Sequence, residues 1–138
     1  MAVKSTRAIA RGVSQTPRKL SLVAALVRGR TVADALIILE HTPKRAAKPL
    51  AKVIASAKAN AVTTHGIDGN TLVIETLQVT AGPRLKRYRP ASHGRAQPFQ
   101  KKTSHINVVV SGEEKVKPAK KAATTTAKPA VKAPKEAK

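Results

Sequence analysis

The chain has no cysteine, so it offers neither a disulfide framework nor a thiolate metal site. It has no tryptophan, and its aromatics are one tyrosine and one phenylalanine, Tyr88 and Phe99. Any core must therefore be packed from alanine, valine, leucine and isoleucine, which predicts a small core of modest stability. Base-stacking sheet modules are excluded from the body, because both rings fall in one basic segment. Acids are scarce as well: 7 Asp+Glu stand against 27 Lys+Arg, for a net charge of +20. Self-repulsion at that charge disfavours a compact isolated fold and implies a polyanionic partner. Nucleic acid leads, and an anionic membrane comes second. No 18-residue apolar run exists, so no helix is expected to span a membrane. The N-terminus MAVKSTRAIARGV lacks the apolar stretch of a secretory signal. Its Ser, Arg and lack of acid fit a transit peptide, but a short strand touching nucleic acid has the same composition. A cytoplasmic location is expected, with an organellar one as the alternative.

Catalytic chemistry is also missing. His41, His65, His93 and His105 are scattered without ligand-like spacing, so no metal site is expected. Ser104 and His105 are adjacent, which on a strand sends them to opposite faces and rules out a nucleophile–base pair. Asp34, Glu40, Asp68 and Glu75 are isolated, and Gly66 and Gly69 flank a turn rather than form a phosphate loop. The chain reads as a non-enzyme with no cofactor and no small-molecule substrate.

In chain order, Ala2 to Val13 reads as an edge strand with Lys4, Arg7 and Arg11 along its exposed side. Thr16-Pro17 marks a helix start, with threonine as the cap and proline at the first helical position. Leu20, Val23, Leu26 and Val27 form the inner face of that helix, and Gly29 ends it. Arg18 and Lys19 at its start oppose the helix dipole, so they are either solvated or answered by a phosphate. Thr31-Val32-Ala33-Asp34 resembles a capping box and opens a second helix to about Glu40, apolar nearly all round. Thr42-Pro43 suggests a third start, running to about Thr63. Its inner stripe is Ala47, Leu50, Ile54, Ala57 and Ala61 with Val53 beside them, and its outer stripe is Lys44, Lys48, Lys52 and Ser56. Pro49 predicts a kink there or a start later than Thr42. Thr71–Thr80 reads as a strand with Val73, Leu77 and Val79 inward. Ile106, Val108 and Val110 give the inner face of a returning strand. The expected class is α+β: three helices on a small three-stranded antiparallel sheet.

Between these last strands lies the strongest signal. Residues 84–102 carry seven bases (Arg84, Lys86, Arg87, Arg89, Arg95, Lys101, Lys102) and no acid. Pro90, Ser92 and Gly94 mark a midpoint turn. The pattern predicts a long protruding β-hairpin over about 83–102, each arm projecting roughly 25–30 Å. A bare two-stranded ribbon is marginal in water, and like charges across it repel. Surface charge runs are commonly just solvated. Here the complete absence of acid, the arginines near the turn and the lack of any core point instead to phosphate. Residues 113–138 hold eight Lys, three Glu and three Pro with little apolar content, and read as a disordered basic tail. Such a tail either adds non-specific phosphate attraction or merely solubilises. The expected organisation is one RNA-binding domain over 1–112 and the tail over 113–138.

Residues along this segment resemble a known family. The run GPRLKR with a following tip proline, GRA after the turn, and KKTSHINVVV on the return are similar to bacterial-type large-subunit ribosomal protein twenty-two, the exit-tunnel hairpin family. SQTPRKLSLVAALVRGRTVADALIIL and KVIASAKANA resemble its three helices, so the match covers roughly residues 5–111. The resemblance implies a structural component of the large subunit that binds 23S-type ribosomal RNA early in assembly. Its body would lie on the subunit surface, and its hairpin would thread through RNA to line the nascent-peptide exit tunnel, near a loop of another ribosomal protein. Implied partners are large-subunit RNA, neighbouring large-subunit proteins and the nascent polypeptide. Carried over, Arg84, Lys86, Arg87, Arg89, Arg95, Lys101 and Lys102 would meet RNA, joined on the body by Arg7, Arg11, Arg18, Lys19 and His105. Arg89, Pro90, Ala91, Ser92, His93 and Gly94 would form the tunnel tip. Ala91 and His93 replace bases usual in the family, and Gln97-Pro98-Phe99 replaces a more basic stretch; Pro98 predicts a local break in strand pairing.

A histone-like nucleoid protein, which also inserts a basic β-ribbon into DNA, is the alternative. It requires a body packed by aromatics, which this chain lacks. A membrane-active cationic peptide would need an amphipathic helix in the arm, and none is there.

Overall fold

The structure is a computed structural model, described over residues 3–113. The order of elements is β1 (Val3–Val13), α1 (Pro17–Val27), α2 (Val32–His41), α3 (Ala47–His65), β2 (Val73–Pro90), a 3-10 turn (Ser92–Gly94) and β3 (Ala96–Glu113). The strands form one antiparallel sheet in the order β1-β3-β2, so the last strand is central. Ala8 of β1, Ile74 and Leu77 of β2, and Ile106, Val108 and Val110 of β3 are buried in one cluster with the helices. Residues of the other parity, such as Arg7 and Gln78, face outward. This is the expected α+β class. The tail expected over 113–138 lies, from residue 114 on, outside the described residues.

Each helix is explained by its ends. α1 begins with Pro17 at the first position, but Thr16 makes no side-chain cap bond; its carbonyl accepts from the Lys19 and Leu20 amides instead. α2 is capped as its sequence suggests: the Asp34 amide donates to Thr31 Oγ1 at 3.2 Å, and that hydroxyl donates to Asp34 Oδ2 at 2.7 Å. α3 starts at Ala47, the later of the two anticipated starts. Pro49 then falls in the first turn, where its missing N–H has no helical partner to lose. Thr42 ends α2 instead of starting α3, its hydroxyl donating to the Ile38 carbonyl at 2.6 Å.

The inner stripe of α3, from Ala47 through Leu50, Val53, Ile54 and Ala57 to Ala61, is buried as anticipated. Three expectations about which side chains face inward or outward fail. Leu26 is 50% exposed, and Ala24 takes its place inside, because residues 20, 23, 24 and 27 share one face at 3.6 residues per turn. Val73 faces out and Ile74 in, because the pairing shifts between Ile74 and Thr76, and the extra residue Glu75 reverses strand parity. Lys4 shares the parity of Thr6 and Ala8 and is half-buried, leaving the outward face to Arg7.

Candidate nucleic-acid interface

β2 and β3 leave the body together and continue as the hairpin. Pairing runs without a shift from Arg84↔Lys102 to Pro90↔Ala96. Every residue from Pro83 to Lys102 is exposed. Pro98 does not interrupt the ladder: it pairs with Tyr88. The Ala91 amide donates to the Arg95 carbonyl at 2.7 Å, which marks that pair as hydrogen-bonded. Counting back by alternation, Tyr88↔Pro98 and Pro90↔Ala96 are wide pairs whose backbone groups face away from the partner. Both prolines therefore lack a donor where none is needed.

The register assigns each base to a face. Residues directly opposite share a side, and sides alternate along a strand. One face carries Leu85/Lys101, Arg87/Phe99 and Arg89/Gln97; the other carries Arg84/Lys102, Lys86/Gln100 and Tyr88/Pro98. Cations thus stand on both faces. A ribbon lying on a flat surface would need them on one only, whereas this one suits an anionic sheath. The Arg89 guanidinium stacks 4.8 Å from the Phe99 ring centroid, which stiffens the distal half. Tyr88 has no such cover and is 70% exposed.

At the tip lies His93, with φ 57° the one non-glycine residue of positive φ among the described residues. Gly94 follows at φ 69°. The left-handed region is sparsely used by side-chain-bearing residues, and histidine enters it more readily than most. His93 and Gly94 thus place two consecutive left-handed residues in the turn.

The arm root is built differently. The ladder shifts between Ala81 and Arg84, leaving Gly82 and Pro83 as a bulge. A Cβ at Gly82 would stand 2.6 Å from Thr103 Oγ1 and 3.2 Å from the Ser104 nitrogen, so only glycine fits. Thr103 Oγ1 donates to the Pro83 carbonyl at 2.8 Å, and fully buried Ser104 donates to the Gln15 carbonyl at 2.6 Å. These bonds lock the bulge to the segment before α1.

The sequence-predicted residues fall into three groups. Arg84, Lys86, Arg87, Arg89, Arg95, Lys101 and Lys102 line the arm, as expected of a hairpin. Arg18 and Lys19, at the start of α1, border the same hollows as Arg84, Lys101 and Lys102. Arg7, Arg11 and His105 lie apart, on the open face and edge of the sheet. There Arg7 Nε donates to Asn107 Oδ1 at 2.7 Å, and the Gly12 amide donates to His105 Nδ1 at 3.0 Å. His105 therefore has one ring nitrogen committed to the β1 bulge. Ser104 and His105 do point to opposite faces, one buried and one half-exposed. Sequence reading missed Lys44 and Arg45, which border the root hollow as well. They were assigned to a helix start, and only the true start at Ala47 shows them to be loop residues.

A small aliphatic body that extends an exposed, doubly cationic ribbon defines a structural nucleic-acid-binding protein. The comparison with known families narrows this. Residues 8–111 match the model for ribosomal protein L22p/L17e, and the chain belongs to that family. It is a structural, RNA-binding component of the large ribosomal subunit and acts in translation. The histone-like reading is set aside. Among the described residues, no helix is long and apolar enough to cross a membrane.

Proposed function

We propose that this protein helps organise large-subunit RNA early in assembly and then lines the nascent-peptide exit tunnel with its hairpin tip, on cytoplasmic ribosomes. In this reading Arg84, Lys86, Arg87, Arg89, Arg95, Lys101 and Lys102 bind phosphates on both faces of the arm. Arg7, Arg11, Arg18, Lys19 and His105 extend the contact over the body. Residues 89–94 stand at the tunnel wall, where Ala91 and His93 reduce the charge met by a passing chain. Residues 1–112 act as one RNA-binding domain, and the Lys-rich segment 113–138 adds non-specific phosphate attraction. Neighbouring large-subunit proteins cover part of the body.

The observation that supports this reading is the two-sided charge of a fully exposed ribbon, against which no helix packs among the described residues. Hydroxyl-radical footprinting of assembled large subunits, with and without a chain lacking residues 84–102, tests it. The full chain should protect RNA at the tunnel wall and co-sediment through a high-salt wash; the deletion should lose the tunnel protections. Equal protections from both chains would overturn the tunnel assignment.

A further inference from the structure

We propose that the hollow at the arm root is a clamp for one unpaired stretch of ribosomal RNA, held between the α1 start, the α2–α3 connection and the first rung of the arm. This rests on the RNA-binding function above and adds where one contact lies and what form of RNA it takes.

Two hollows of about 530 and 610 Å³ meet there, sharing Thr16, Lys19, Leu22 and Lys102. Their cations come from separate segments: Arg18 and Lys19, Lys44 and Arg45, Arg84, and Lys101 and Lys102. Among the described residues no acid lines either hollow. Arg84 and Lys102 are direct cross-strand partners, a like-charge pair that destabilises the first rung unless an anion intervenes. The helix ends add to this. α1 and α3 both begin at the hollow with neither a side-chain cap nor an acid in the first turn. α2 begins at the far end of the sheet, where Thr31 pairs with Val73, and it has both. The positive ends of two helices and the surrounding cations thus converge on one place that no acid lines among the described residues.

Leu22 sets the chemical class. It is 73% exposed and stands in both hollows, an apolar shelf among cations. Inorganic phosphate has nothing to place on it. A nucleotide offers a charged backbone and a flat apolar base, and only an unpaired strand leaves that base free.

Binding of the full chain to a large-subunit RNA fragment, measured across salt concentrations, tests the clamp. Lys44→Ala/Arg45→Ala should reduce the slope of log affinity against log salt by about 0.7 per lost contact. Lys52→Ala, an equally exposed cation on α3, should leave the slope unchanged. Leu22→Ala should weaken RNA binding severalfold at every salt concentration, keep the slope, and leave binding to polyphosphate unaltered. These sites are exposed, and circular dichroism confirms that the variants fold. A steep wild-type slope that survives Lys44→Ala/Arg45→Ala overturns the clamp. Equal losses on RNA and polyphosphate for Leu22→Ala overturn the unpaired base. A wild-type chain that fails to bind the fragment removes the RNA-binding reading itself, a result distinct from either.

Discussion

Val108 and Lys101 lie on the same strand, paired to the same neighbour, yet their surroundings share nothing. Val108 is fully buried in the core between the sheet and the helices, while Lys101 is exposed and paired with Leu85 of the opposite strand. β2 and β3 stay paired through both regions, with the Gly82–Pro83 bulge between them. What differs is the source of order. In the body, burial of aliphatic side chains drives the strands together, each large one contributing about 1.5–3 kcal/mol. In the arm no side chain is buried, and charge repulsion works against the ladder. Burial therefore holds the ribbon in the body, whereas in the arm only backbone pairing and the Arg89–Phe99 stack stand against charge repulsion.

The comparison can be broken most directly by amide exchange in the free protein. Amides of Ile106–Val110 should exchange only through global unfolding, and those of residues 84–101 through local opening, orders of magnitude faster. RNA should bring the arm towards the body's protection. Equal protection in the free chain would show that the ribbon holds itself. Next in size is Leu50→Ala, which empties a fully buried site; it should cost about 2–5 kcal/mol in denaturant unfolding. Gly82→Ala tests the joint between the two regions. Its methyl would collide with Thr103 and the β3 backbone, and overpacking of that kind costs about 1–3 kcal/mol. Smallest for stability is Arg87→Ala/Arg95→Ala, expected to stay within about 0.5 kcal/mol of the wild type because neither side chain packs against the body. The same pair should flatten the salt dependence of RNA binding by about 0.7–0.9 per lost phosphate contact. A large stability loss here would mean that the arm carries structural weight in the free protein.

Much of this contrast was legible in the residues. The Ala/Leu/Ile spacing of α3 and the alternation of Ile106, Val108 and Val110 each name a buried face, because one periodicity runs unbroken through them. The acid-free run from Arg84 to Lys102 names the arm for the same reason: nothing else competes to explain it. What stayed hidden depends on single-residue offsets. The extra residue at Glu75 swaps Val73 for Ile74, and alternation alone does not show a bulge. Thr42-Pro43 has the chemistry of a start, but the Thr42 hydroxyl is taken by the preceding helix. Pro98 looked disruptive because its effect depends on whether its pair is wide or narrow, which only the turn geometry decides. The root hollow was invisible for another reason: Lys19, Lys44 and Lys102 are far apart in sequence, and folding alone makes them neighbours.

The placement of β3 between β1 and β2 has a bearing on synthesis. The two strands made first are not neighbours, so they have no ladder to form with one another while the chain is still growing. The sheet waits for residues 104–113, which emerge only after the whole basic finger has been made. Until then Ala8, Ile74 and Leu77 have no middle strand between them, although the basic finger that follows Leu77 is already made.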